Sequence, residues 1–203
     1  MQALAIIDTK APDWKYVCKV WPQPRTKLQN LADLELATSL GIEKNVTYTT
    51  NTISRNFMPY LIGACDIYTA PSRLEGFGMP QVEAGACEKP VIGINAMGML
   101  DTLVHGKTAF LANIAQEIVL SETILGEESG FEDKHRIVFK NPRTADYRAS
   151  VHDIANYMMD LMSDSALREK MGKAARKRVV KNFDYRVVAR KFLDILSNRL
   201  GIN

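Results

Sequence analysis

RLEGFGMPQVEAGACEKPVIG, residues 73–93, sets Glu75 and Glu83 on either side of a Gly-Phe-Gly-Met-Pro turn and then runs into an apolar strand. DIYTAPS (66–72) before it reads as a strand opening into a loop, PQVEAGACE (80–88) as a helix, and PVIGIN (90–95) as a buried strand. A strand, a helix and a second strand this close in sequence form a right-handed crossover between parallel strands. One such unit is enough to suggest an open α/β sheet.

The same rhythm extends outward. Upstream, WKYVCKV (14–20) alternates as a strand and is closed by Pro22 and Pro24. RTKLQNLADLELATSLG (25–41) carries Leu28, Leu31, Leu34 and Leu36 near helical period, with Gly41 where a left-handed C-terminal cap belongs. NVTYTT (45–50) is a short strand, and SRNFMPYLIGAC (54–65) reads as a helix in spite of Pro59. Downstream, a short helix near 100–104 leads to a fifth strand, TAFLA (108–112). The fold class is therefore α/β, a Rossmann-like doubly wound parallel sheet. From 113 to 149 the alternation breaks into two β-like runs around an acidic Gly-containing turn, an inserted hairpin. Ser150 and Asp153 form a capping box that opens the C-terminal helices of 150–203, with two further helices near 165–181 and 184–199.

Composition limits what such a chain can do. Its 203 residues are 46% hydrophobic and 24% charged, the make-up of a folded globular protein. A net charge of +3 is too small to imply nucleic acid, though its sign suits phosphorylated ligands. Cys18, Cys65 and Cys87 are odd in number and show no CxxC spacing, which points to a reducing, cytoplasmic setting. No apolar run spans a membrane and the N-terminus lacks signal-peptide character, so membrane contact is expected only at the periphery. LAIIDT (4–9) reads as the tail of a helix, which suggests an excised fragment.

In an open parallel sheet, ligands bind beyond the carboxyl ends of the strands, and the loop 71–79 lies at such an end. Gly76 and Gly78 permit positive φ and close backbone approach, and Pro80 suits a first helical turn. The free amides there favour a phosphate near Gly78 and Met79. Glu83, one turn into the helix, can accept from a ribose diol, and Glu75 from hydroxyls at the other end of the ligand. Each charge-assisted bond is worth roughly 1.5–3 kcal/mol, enough to set orientation. Sugar hydroxyls, a phosphate between and a ribose diol together describe a nucleotide sugar. A helix-start glutamate also complements the macrodipole, which accounts for Glu83 alone but not for the framed pair.

APSRLEGFGMPQVEAGACEKPVIG (70–93) resembles the donor-binding signature of the group 1 glycosyltransferases, the retaining GT-B enzymes of family four, whose two glutamates are separated by seven residues. The similarity extends to NVTYTT, YLIGACDIYTAPS, GMLDTLVHGKTAFLA (98–112) and DSALREKMGKAARKRVVKNFDY (164–185), leaving out the insertion at 113–149. It implies one half of a GT-B fold, with residues 1–203 forming a donor-binding domain that is a C-terminal fragment. It further implies that Glu75 is the catalytic-site carboxylate contacting donor-sugar hydroxyls and that Glu83 holds the ribose. Gly76, Phe77, Gly78 and Met79 would give backbone amides to sugar and diphosphate, and Thr50 and Asn51 would border the base. The reaction implied is metal-independent, configuration-retaining transfer of a sugar from a nucleotide diphosphate sugar to a hydroxyl. The nucleotide sugar is the substrate, and no cofactor or metal is expected.

Glu88 stands where the family usually has glycine, as does Ala109, and Met99, Leu100 and Asp101 replace a common Gly-Ile-Pro-Glu loop. The family's Arg-x-x-x-x-Lys pair and its N-terminal acceptor domain are expected outside this chain, which alone would be inactive. No Asp-x-Asp occurs, and His105, His135 and His152 lack ligand spacing. The basic run 168–181 reads as a solvated helix face over Leu167, Met171, Ala174 and Val179, with a lipid-linked acceptor or peripheral membrane contact as a secondary role. The alternatives are a non-catalytic nucleotide-sugar module or a dinucleotide-binding one. The latter is weakened because Gln81 occupies the third glycine position of G-x-G-x-x-G and no acid ends the following strand.

Overall fold

Pro59 shows how local chemistry sets the element boundaries. Lacking an N–H, it fits the first turn of α3, so the helix expected from 54 runs only over Met58–Gly63, behind a turn. The computed structural model describes residues 1–11, 13–20, 24–126 and 132–201, with the side chains of 24–29 excepted. Pro22, the side chains of Arg25, Lys27 and Leu28, and the acidic hairpin tip at 127–131 lie outside the described residues.

The remaining elements are α1 (Gln2–Asp8), β1 (Tyr16–Lys19), α2 (Pro24–Ser39), β2 (Val46–Thr49), β3 (Tyr68–Ala70), α4 (Met79–Ala86), β4 (Val91–Ile94), α5 (Met99–Thr102) and β5 (Ala109–Ala112). After them come β6 (Ile114–Leu125), β7 (His135–Ala149), α6 (Val151–Ser163), α7 (Ser165–Asn182) and α8 (Tyr185–Leu200). Gly41 takes φ +72°, and the Ile42 amide donates to Ala37 O across it at 3.0 Å, closing α2.

The five parallel strands form two ladders, β1 with β2 and β3-β4-β5. The Thr69 hydroxyl donates to the Tyr16 hydroxyl at 3.1 Å and links them. β4 is buried throughout because helices cover both faces: Ile92 packs with α1 and α6, Val91 with Ile62, Ala84 and Met99. This is the doubly wound arrangement that the alternation implies.

The capping box at α6 differs from expectation. Ser150 Oγ accepts from the Asp153 amide at 3.2 Å, but the Asp153 carboxylate accepts from the backbone and side-chain nitrogens of Asn113, both at 2.9 Å. The Ser150 amide is already used, donating to Asn113 O at 2.8 Å, so Asp153 clamps the strand end instead.

Glu88 adopts φ +59°, which explains the glycine usual at that position in the family. A side chain there costs about 1–2 kcal/mol. The bend lets α7 come close: a Cβ on Gly172 would lie 2.0 Å from Glu88 O. On α7 the buried stripe runs through Met171, Gly172 and Ala175, with Ala174 only half-buried.

β6 and β7 form the inserted antiparallel hairpin, with register shifts that include one between Leu120 and Glu122, opposite the stretch that contains Pro142. A two-stranded ribbon is marginal alone, and this one is tied at its root. Asp146, 7% exposed, accepts from Arg73 Nε at 2.8 and 2.7 Å and from Arg73 Nη2, and it pairs with Arg148 Nε at 3.1 Å. The Tyr147 amide also donates to Arg73 O at 3.0 Å.

The Arg73 guanidinium, helped by Arg148, holds the Asp146 carboxyl below the usual carboxylate range. A lowered folded value contributes stability that is complete above the ordinary aspartate value of about 3.9 and is lost as pH falls through the folded one. Urea midpoints measured from about pH 5 down to 2 should therefore fall more steeply for the native chain than for Asp146→Asn. Equal slopes would remove this ion pair from the hairpin's anchorage.

Candidate functional site

The loop after β3 is shaped by its glycines, each in a different way. Gly78 takes φ +86°, a left-handed conformation, and is the N-cap of α4. Gly76 does not use positive φ, contrary to expectation; a Cβ there would meet nothing within 4 Å, so its role is to leave open space beside the backbone. From the other side, Gly98 presses on the loop, and a Cβ on it would lie 2.1 Å from Gly76 O. The Gly98 amide donates to Glu75 O at 3.3 Å, and the Glu75 amide contacts Met97 Sδ at 3.2 Å.

Because Gly78 has no capping side chain, α4 begins without one. Pro80 has no N–H, and the first-turn amides of Met79 and Gln81 have no hydrogen-bond partner among the described residues. Two unpaired donors at the positive end of a helix dipole are suited to an anion.

Glu75 is half-buried, and its Oε1 accepts from the Gly78 amide at 3.0 Å. Glu83 is exposed on α4, and its carboxylate makes no hydrogen bond or ion pair among the described residues. Burial pushes the Tyr68 hydroxyl up, reinforced by the charges of Tyr16, Glu83 and Glu75. Phe77 is exposed, with its ring edge-on to Phe183 at 5.6 Å. Arg178 lies over Phe183 at 5.7 Å and donates through Nε to Thr102 O at 2.8 Å, joining α7, α5 and the glycine loop.

Thus Glu75, Gly76, Phe77, Gly78, Met79 and Glu83 are brought together around one helix start. Thr50 and Asn51 are exposed just beyond β2, in the other ladder, and no hydrogen bond joins them to this loop among the described residues. Met99, in the substituted loop, is fully buried in the core, while Asp101 is exposed and gives its backbone oxygen to Arg178. His105 Nδ1 accepts from the Leu111 amide at 3.0 Å, a structural use. Among the described residues, no group of His, Cys, Asp or Glu could hold a metal ion, and no helix is long and apolar enough to cross a membrane.

Sequence reasoning missed Gly98, Phe183 and Arg178 as supports of the loop. Gly98 alone carried a signal, being a glycine directly before a short helix.

A family model described as glycosyl transferases group 1 matches residues 29–138. The capsular polysaccharide biosynthesis glycosyltransferase CapM of Staphylococcus aureus is 30% identical over 123 residues, covering 61% of this chain and 23% of CapM. The α-1,3/1,6-mannosyltransferase ALG2 of Dictyostelium discoideum is 30% identical over 117 residues, 54% of this chain and 27% of that protein. The chain therefore spans about a quarter of the length of these curated relatives. Among solved structures, Anabaena Alr3699/HepE, in complex with UDP and glucose, matches at TM-score 0.70 and 19% identity over 98% of this chain and 44% of that one. The C-terminal domain of a group 1 family glycosyl transferase, LpcC of Francisella tularensis, matches at 0.66 and 22%, over 90% of this chain and 76% of that one.

Gly98→Ala should force the Gly76 carbonyl aside and lower stability by about 1–3 kcal/mol, read as a shift in urea midpoint. An unshifted midpoint would mean that the two loops are not in contact.

Proposed function

The chain belongs to the group 1 glycosyltransferases, and on that premise we propose that residues 1–203 are the donor-binding domain of a retaining enzyme. The enzyme moves a sugar from a nucleotide diphosphate sugar to a hydroxyl acceptor. The observation that carries this reading is the pair of carboxylates, Glu75 and Glu83, flanking the unpartnered first-turn amides of α4. Met79 and Gln81 amides receive the diphosphate, Glu83 the ribose diol and Glu75 the sugar hydroxyls, while Gly76 leaves the space through which the sugar approaches the backbone. Thr50 and Asn51 border the base.

Charge builds on the diphosphate as the glycosidic bond breaks, and the helix dipole with its free amides stabilises that charge without reorganisation. No metal or cofactor is assigned a role. An acceptor-binding domain and further cations for the leaving group belong to the rest of the enzyme, and the chain alone is inactive. The apolar side chains of α8, Tyr185, Val188, Phe192 and Ile195, are exposed, which supports contact with such a domain or with a membrane-borne acceptor in a cytoplasmic enzyme.

Calorimetric titration of the chain with UDP, GDP and ADP and with their glucose and mannose conjugates tests the reading. One nucleotide series should bind, Glu83→Ala should weaken it about tenfold or more, and Glu75→Ala should remove mainly the increment from the sugar. If nucleotide sugars bind and neither substitution matters, the carboxylate assignment is wrong.

A further inference from the structure

Gln81 is 2% exposed, and its side-chain Oε1 has no hydrogen-bond partner among the described residues. A buried acceptor is rarely left unpaired, so its position calls for a physical reason. Counting from the N-cap Gly78, Gln81 is the third residue of α4. A glutamine at that position is the reciprocal member of a capping box, whose side-chain oxygen accepts from the amide of the N-cap residue.

That amide is taken. Gly78 donates to Glu75 Oε1 at 3.0 Å. Gln81 nevertheless stays close by: its Oε1 lies 3.0 Å from the position of a Cβ on Gly78, with Cδ at 3.2 Å and Nε2 at 3.7 Å, so the oxygen is the nearest atom. One donor therefore faces two acceptors, a half-buried carboxylate in a loop and a buried amide held on a helix.

We propose that Gln81 is a positioning residue that takes over the Gly78 amide when Glu75 turns to the donor sugar. In the unliganded chain, Glu75 holds the left-handed Gly78 in place. On binding, the carboxylate exchanges the Gly78 amide for a sugar hydroxyl, and the Gln81 oxygen accepts from that amide. Gly78 keeps its conformation, α4 keeps its first turn, and no amide is stranded at the moment the sugar engages. That Glu75 turns to a sugar rests on the donor reading above; the exchange between acceptors does not.

Hydrogen exchange of the Gly78 amide, followed by NMR in the full chain, tests the exchange without ligand. In Glu75→Ala the amide should remain protected, because Gln81 accepts from it. In Glu75→Ala with Gln81→Met the protection should fall at least tenfold, and Glu75→Ala with Gln81→Glu should restore it. Loss of protection in Glu75→Ala alone, in a chain whose other core amides stay protected, would overturn the proposal, and this arm leaves Gln81 in place.

The second arm uses UDP, UDP-glucose, GDP and GDP-mannose. For the series that binds, Gln81→Met should reduce the affinity ratio of conjugate to bare nucleotide about five- to tenfold. An unchanged ratio would overturn the role in sugar binding. If none of the four binds the native chain, the donor reading fails at these donors while the amide measurement still decides the exchange.

Discussion

The contact of Gly98 with the Gly76 carbonyl is the constraint on which the rest of the site depends. A single methyl on Gly98 would lie 2.1 Å from that oxygen, so the turn after β4 and the turn after β3 fit together only because one of them has no side chain. With the loop held from that side, Gly78 can sit at φ +86° and α4 can begin with its amides open. Glu75 then occupies the loop before α4 and Glu83 a position about one turn into the helix. The chemistry proposed for the chain follows from this placement of backbone more than from any one side chain.

Backbone proximity recurs where the helices meet. Gly172 passes the Glu88 carbonyl and Gly85 lies against Val179, where a Cβ would come within 3.1 Å of its side chain. Glu88 itself is held left-handed, with its carboxylate 3.6 Å from Arg176 Nε. This strained turn ends α4 and feeds β4, so α7 supports the same helix whose beginning forms the site. On the far side, Arg73 ties the hairpin root to the loop through Asp146. The insertion is thus attached two residues before Glu75.

Much of this could be read from the residues. Alternating strands and helices gave the doubly wound sheet, because a buried parallel strand such as VIGI and an amphipathic helix leave distinct local patterns. The Glu-Gly-Phe-Gly-Met-Pro turn located the site because glycine and proline act locally on φ and on the helix start. What escaped was long-range: the Arg73–Asp146 pair, the Asp153 clamp on Asn113 and the Arg178–Phe183–Phe77 stack each join residues whose neighbours in sequence give no hint of the partner. The left-handed Glu88 was legible only as a departure from a family glycine, and the α3 start was misplaced because helical composition extends past the point where Pro59 sets the first turn.

The most direct measurement is an amide chemical-shift titration of the labelled chain with UDP and UDP-glucose beside GDP and GDP-mannose. If α4 begins a donor site, the nucleotide of the matching pair shifts the amides of Met79, Gln81 and Glu83 first, and its sugar conjugate adds shifts at Glu75, Gly76 and Gly78. Saturable shifts confined to the hairpin or to α8, with the glycine loop unmoved, would contradict the placement of the donor and with it the function assigned to the two glutamates.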